Sequence, residues 1–591
     1  MTYRAPVKDM LFVMKELAGI DAVAALPGFE DAGYDTAAAV LEECARFNEE
    51  VVAPLNFESD KAPSTFSEGK VTTTAGFKEA FRQFTEGGWQ GLQHPTEFGG
   101  QGLPKLIHAA CSEMVNSASI SFALCPLLTD GAIEALLTAG SADQQALYIP
   151  KMIDGRWTGS MNLTEAQAGS DLAAVRTRAE PQPDGSYKLF GTKVFITYGE
   201  HDLADNIVHL VLARVSGAPE GVKGISLFIC PKLLNDGSRN DVYCASIEHK
   251  LGIKASPTAV LQFGDQGGAV SYLVGAENRG LEYMFIMMNA ARFGVGVQGI
   301  AVAERAYQKA VEYARDRVQG RPVDGSLPAA GAIIHHPDVR RMLMTMRAHT
   351  EACRAMALVA ASANDAAHAH PDADVRKQNM AFYEFLVPLV KGLSTEMSQD
   401  VASLGVQVHG GMGYIEETGA AQYLRDARIL TIYEGTTAIQ ANDLVGRKTA
   451  RDGGQVARAI AQQIEATELA LAARDSAACR TMARRLGAGR RAFLEVVAFV
   501  AAQMRAQPNA VFSGGVPYLM LAGTVIAGWQ MARALIAAED RLAEGQDAAF
   551  MQAKIATARF YGDHILNKVP ALAESVLEGA DAVTAMALEA Y

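Results

Sequence analysis

The chain has 591 residues, a formal net charge of −13, and 49% hydrophobic against 20% charged residues. That length exceeds what one hydrophobic core serves, so several domains are expected, and the composition is that of a globular chain. The acidic balance excludes a global field that would gather DNA or anionic lipid, so any phosphorylated ligand needs a local basic site.

The opening residues, MTYRAPVKDMLFVMKELAG, mix acids and bases into the apolar positions and lack the features of a signal peptide. Residues 1–155 read as helical. Residues 36–47 repeat apolar positions at helical spacing, with Asp35 expected as N-cap. Phe98–Pro104 is a glycine-rich turn, and short helices are expected over Ala132–Thr138 and Gln144–Tyr148. The texture changes at 156–278. Short Val-, Ile- and Phe-rich runs at Tyr187–Ile196, Val208–Val215, Gly224–Ile229 and Thr258–Phe263 read as strands of a small barrel or sandwich.

Residues 279–448 are helical again. Apolar steps run from Gly294 to Arg315, Pro337 suits the first turn of a long helix, and Asp374–Val401 suggests another. The alanine-rich tail, 449–591, predicts three or more helices with breaks at Pro508, Gly514–Gly515 and Gly545. Within it Val516–Ala532 is nearly uncharged and, at about 17 residues, sits at the lower limit for spanning a bilayer. Pro517, two glycines and Gln530 interrupt it, so a buried core helix is expected and no transmembrane segment.

Seven cysteines, none in a CxxC pair, argue against a disulfide framework or a structural zinc site and fit a reducing, cytoplasmic setting. His335–His336 and His368–His370 have no carboxylate or cysteine at ligand spacing, so they read as surface or capping groups and no metal is expected.

The most informative stretch is Gln407–Lys448, QVHGGMGYIEETGAAQYLRDARILTIYEGTTAIQANDLVGRK. Gly410, Gly411 and Gly413 allow close backbone approach, which a tight interhelical turn or a ligand would equally use. The whole string, however, resembles the C-terminal signature of the acyl-CoA dehydrogenases. In that family the glutamate of the IYEGT run is the catalytic base, and the resemblance carries that role to Glu434. It also puts Gln407, Gly410, Gly411 and Thr436 on FAD contacts, and Tyr433 and Gly435 on the substrate.

Three other segments are similar to the same family. Met161–Asp171, MNLTEAQAGSD, looks like its flavin loop, with Met161, Leu163, Thr164, Gly169 and Ser170 on flavin contacts and Ser170 also on the substrate. Ala166 replaces a usual proline, and Met161 a frequent aromatic. Lys193–Tyr198 resembles the W-I-T-N run: Phe195 replaces the tryptophan, and Thr197 keeps the hydroxyl that bonds the flavin. Tyr313–Pro322 resembles a helix end whose arginine, here Arg317, meets the FAD pyrophosphate of a neighbouring subunit; a guanidinium fork suits a diphosphate. The chain is one residue shorter there and lacks the usual phenylalanine. Some members place the base on the helix entering the C-terminal bundle, but that slot falls on Ala291, which cannot take a proton. Arg292 falls near the base and the thioester, and Asn289 near the pantetheine.

The resemblance implies an α+β fold: an N-terminal helical domain, a central β-barrel or sandwich and a C-terminal four-helix bundle, with the tail as an extra helical domain. It implies FAD, an acyl-CoA substrate, a homodimer or dimer of dimers, and an electron-transfer flavoprotein as acceptor. A buried glutamate suits the chemistry, because desolvation strengthens it as a base for a weakly acidic α proton. The DLVGRK ending, the opening residues and the tail resemble a subgroup that includes dehydrogenases of 3-(methylthio)propanoyl-CoA. Related enzymes take short, medium or longer fatty acyl chains, so the substrate stays open. A DNA-associated flavoprotein on the same fold would carry a basic tail, and this tail is near neutral.

Overall fold

The computed structural model describes residues 3–591. In the N-terminal region the helix Tyr34–Phe47 has Gly33 at its N-cap, not Asp35. Asp35 lies in the first turn instead, where its charge complements the positive end of the helix dipole. The expected short helix at Ala132–Thr138 is the end of one continuous helix, Ile120–Ala139, capped by Ser119 and carrying Pro126 inside. It is apolar almost all round, as a helix enclosed by others must be. A small hairpin, β1 (Thr65–Ser67) and β2 (Lys70–Thr72), interrupts this helical region; strands this short leave no periodic signal.

Eight further strands follow: β3 (Trp157–Asn162), β4 (Arg178–Pro181), β5 (Tyr187–Thr197), β6 (Asn206–Val215), β7 (Ser226–Pro231), β8 (Val242–Ile247), β9 (Thr258–Phe263) and β10 (Ala269–Val274). The order β10-β7-β6-β4-β5 closes on itself through a β10–β5 pairing, and β9 and β8 extend from the far half of β5. The result is a small closed barrel with a flap, and closure removes edges that would otherwise invite aggregation. β6 is mostly apolar along its length because it is buried on both faces. β3 runs parallel to β6 and lies against the Ile120–Ala139 helix. Gly159 permits that contact: a Cβ there would stand 2.4 Å from the Ala132 Cβ.

Three long helices, Gly280–Asp316, Pro337–Ala369 and Ala373–His409, make most of the bundle. The first carries the apolar steps of Gly294–Arg315 back to Gly280, within the region expected to be helical. The first and third run parallel and very close. A Cβ on Gly296 would lie 2.6 Å from the Val390 carbonyl oxygen, and one on Gly299 2.5 Å from that of Ser394. The fourth leg is broken into Ala420–Ala427 and Thr437–Val445, and the turn between them holds Glu434.

The tail forms Gln455–Ala472, Ala477–Gln503, Pro508–Ser513, Gly515–Ala543, Ala548–His564 and Val569–Glu578, with breaks at the expected prolines and glycines. Gly515–Ala543 packs against the back of Ala373–His409, with Leu519 over Gly392. Among the described residues three helices are long and apolar enough to cross a membrane, Ile120–Ala139, Gly280–Asp316 and Gly515–Ala543, and each is mostly buried inside the fold. A buried charge network ties the regions together. Arg354 donates to Asp9 (2.8 Å), Glu113 (2.9 Å) and Glu304 (2.7 Å), while Lys554 of the tail pairs with Asp9 and with Glu351 (2.7 Å).

Candidate active site

Glu434 and Gly435 both adopt left-handed backbone, at φ 54° and 88°. For glycine this is free; for a glutamate it costs about 1–3 kcal/mol and persists only where the surroundings impose it. Several contacts impose it here. The Lys391 ammonium donates to the Gly435 carbonyl at 2.7 Å, and Gln440 Nε2 donates to the same oxygen at 3.1 Å. The Tyr433 hydroxyl donates to Gln298 Oε1, whose amide nitrogen donates to Asn116 at 3.1 Å. Thr436 caps the following helix by accepting from the Ile439 N–H. Among the described residues the Glu434 N–H donates to no backbone group.

Glu434 is half-buried, with Arg292 and Lys391 nearby. Burial pushes its carboxyl above the ordinary carboxylate value, and the two cations pull the other way. Lys391 is fully buried, and that burial draws its ammonium down to about 8, against the opposing pull of Glu434. Arg292 is also buried, 3.7 Å from Asp443, and its Nε has no hydrogen-bond partner. A base of raised pKa, two buried cations and free N–H donors form a place where a proton can be taken and a developing anion held.

A second wall is built where β3 leaves the barrel. The Lys193 ammonium, fully buried, donates to the Leu163 carbonyl (2.9 Å) and to Glu165 (2.8 Å). Burial works against the Glu165 carboxylate, yet Lys193, Thr177 and the Arg176 N–H together carry it down to about 2. This clasp fixes the chain at Leu163 and Thr164, and the Val194 N–H donates to the Thr164 carbonyl. Across it β5 bulges against β9 between Lys193 and Ile196, and Phe195 takes φ 59° and is 63% exposed. The strained backbone holds this apolar ring out of the core. Met161 lies buried at the end of β3, Thr197 is half-buried, and Gly169 and Ser170 are on an exposed loop. Asn289 is half-buried one helical turn from Arg292.

The remaining expected residues lie elsewhere. Arg317, Gln407, Gly410 and Gly411 are exposed at the opposite end of the two parallel helices, where Tyr313 stacks on His409 at 4.3 Å. From Lys391 to His409 the helix runs about 27 Å, so one chain does not bring this group to Glu434. Lys391, Gln298 and Gln440 are site residues that the motifs did not single out. A lone lysine inside the apolar run FLVPLVKGL was the available signal for the first.

Family models described as acyl-CoA dehydrogenase N-terminal, middle and C-terminal domains match residues 34–156, 160–266 and 278–449. An acetyl-CoA dehydrogenase C-terminal-like model matches 456–587. The chain is 53% identical to the 3-methylmercaptopropionyl-CoA dehydrogenase of Ruegeria pomeroyi over the full length of both. It is 35% identical to the broad-specificity linear acyl-CoA dehydrogenase FadE5 of Mycobacterium tuberculosis, over 95% of each chain. Among solved structures, an acyl-CoA dehydrogenase of Bacillus anthracis complexed with FAD shares the fold at a TM-score of 0.75 and 22% identity, covering 94% of this chain and 90% of that one. This chain belongs to the acyl-CoA dehydrogenases, a family of FAD-dependent oxidoreductases.

Proposed function

We propose that the chain dehydrogenates an acyl-CoA thioester to the 2-enoyl-CoA, with Glu434 removing the α proton. The observation that carries this reading is the imposed left-handed turn, which presents a half-buried carboxylate of raised pKa beside Arg292 and Lys391. Removal of the α proton leaves negative charge on the thioester oxygen, and the Glu434 N–H is the donor available to it. Tyr433, through Gln298, and Gly435, through Lys391, hold the base in position.

FAD fits the wall made by Leu163, Thr164, Phe195 and Thr197, where the exposed Phe195 ring offers an apolar face and Thr197 a hydroxyl. Bound there, FAD supplies the hydride acceptor. Gly169 and Ser170 border the cofactor and substrate, and Asn289 the pantetheine.

We read Arg317, Gln407, Gly410 and Gly411 as contacts to the cofactor of a second subunit, supported by their distance from Glu434. Val318, Val323, Met412 and Tyr414, exposed apolar groups at that end, favour a homodimer or a dimer of dimers. An electron-transfer flavoprotein is the proposed acceptor, and the seven buried free thiols suit a cytoplasmic enzyme.

The proposed substrate is the 3-(methylthio)propanoyl thioester, supported by the 53% identical Ruegeria relative. Linear fatty acyl thioesters are the second reading, favoured by the FadE5 likeness. Anaerobic titration of the FAD-loaded protein with both thioester classes tests the proposal. Flavin bleaching is expected, fastest with the thioether; no bleaching by any thioester would overturn it.

A further inference from the structure

Two cavities lie against the helices Lys105–Ala118 and Ile120–Ala139, and one of them also meets Gly280–Asp316, the helix that carries Arg292. The latter is bounded by Ala290, Ala291 and Gly294 of the Gly280–Asp316 helix and by Gly131 of Ile120–Ala139; Lys105 and Glu134 also line it. It adjoins the site, since Arg292 follows Ala291 and a Cβ on Gly131 would touch Met287 (3.6 Å) and Met161 (3.9 Å). The other cavity opens among Cys44, Phe84, Trp89, Leu92 and Val115, a largely apolar lining. Four residues line both: His108, Ser112, Leu127 and Asp130. They are the partition between the two.

That partition is braced. His108 Nε2 stands 3.5 Å from Asp130 Oδ2, and Asp130 Oδ1 accepts from Gln90 (2.6 Å) and pairs with the buried His94 (2.8 Å). Gln90 and His94 therefore fix Asp130, and His108 packs beside the carboxylate they hold. Burial draws the His108 imidazole down to about 4, so it is neutral at physiological pH and carries no charge that would draw it out to water.

We propose that His108 and Asp130 form the floor of the acyl pocket and restrict this enzyme to short acyl thioesters, the cavity behind them being the space a longer chain would need. This rests on the reading of Glu434 as the base for acyl-CoA. A chain as short as 3-(methylthio)propanoyl ends before the floor, whereas an alkyl chain pushed further would have to displace His108 from its packing beside Asp130, a carboxylate that Gln90 and His94 already anchor.

The test compares kcat/KM for butanoyl-, 3-(methylthio)propanoyl-, octanoyl- and dodecanoyl-CoA in the wild type, His108→Ala and His108→Gln holoenzymes. The wild type should favour butanoyl over octanoyl by about 100-fold, since single methylenes change specificity by 10-fold or more in a closed pocket. His108→Ala should merge the cavities and raise the octanoyl-to-butanoyl ratio by about tenfold or more, while His108→Gln, polar and of similar size, should keep the wild-type ratio. A wild type that takes octanoyl as well as butanoyl overturns the proposal even if the alanine variant does not fold. So does a folded His108→Ala enzyme with an unchanged ratio. Persisting flavin bleaching in Glu434→Gln would instead refute the assignment of the base and leave the ratios to judge the floor.

Discussion

Replacing Lys391 by methionine keeps the volume of the stem and removes one buried charge. In the native turn that charge donates to the Gly435 carbonyl at 2.7 Å and favours the ionised form of Glu434. The other charged groups facing it are Arg292 and Glu396, with Asp443 behind Arg292. A hydrogen bond from a charged donor contributes about 1.5–3 kcal/mol, and the Gly435 carbonyl keeps only the Gln440 bond once it is lost. Glu434 acts as a base only when deprotonated. Its pKa is already raised by burial, so removing a cation raises it further, and the acid limb of the rate moves to higher pH. If roughly half of the lost interaction discriminates between the two forms of Glu434, the move is about one pH unit, at about 1.4 kcal/mol per unit. A second effect has the opposite sense. Lys391 itself loses its proton near pH 8, so wild-type reduction should decline above that value, and the variant should lack this alkaline limb. Stopped-flow flavin reduction at saturating thioester, from about pH 5 to about pH 10, reads both limbs. An acid limb that stays in place, or an alkaline limb that survives the substitution, would refute the role given to Lys391.

Glu434→Gly relieves a left-handed non-glycine residue and a partly desolvated carboxylate together, so it should raise stability by about 1 kcal/mol while abolishing flavin reduction. A thermal melt of the FAD-loaded variant checks it, and a lowered melting temperature would count against an imposed turn. Lys554→Met leaves Asp9 with Arg354 and Glu351 with Arg347, one partner each, in a buried network. The loss should be about 3 kcal/mol, the lower end for breaking a buried pair, read as a fall in the urea midpoint; a change under about 1 kcal/mol would show that the tail is not locked by charge.

Much of the architecture was legible because long segments carried strong local signals. β9 was read correctly in its extent, and β5, β6 and β7 to within two residues, from Val-, Ile- and Phe-rich runs. β3 was not, because Gly159 is there for close contact with a helix, and Thr158 and Ser160 for bonds to His201 and His209, rather than for strand propensity. At the site, Glu434 was reachable through its motif, but its left-handed backbone was not. Lys391 acts on Gly435 only because Gly296 and Gly299 let two helices, distant in sequence, lie nearly in contact. The separation of Arg317 and Gly410 from Glu434 is likewise a matter of helix length and direction, which motif order alone does not express.

The most direct test of the central claim is single-turnover flavin reduction in Glu434→Gln, an uncharged side chain of nearly the same shape. With 3-(methylthio)propanoyl-CoA the variant should keep FAD and bind the thioester, yet reduce its flavin several orders of magnitude more slowly than the wild type. Reduction at the wild-type rate would remove Glu434 from the chemistry and contradict the account.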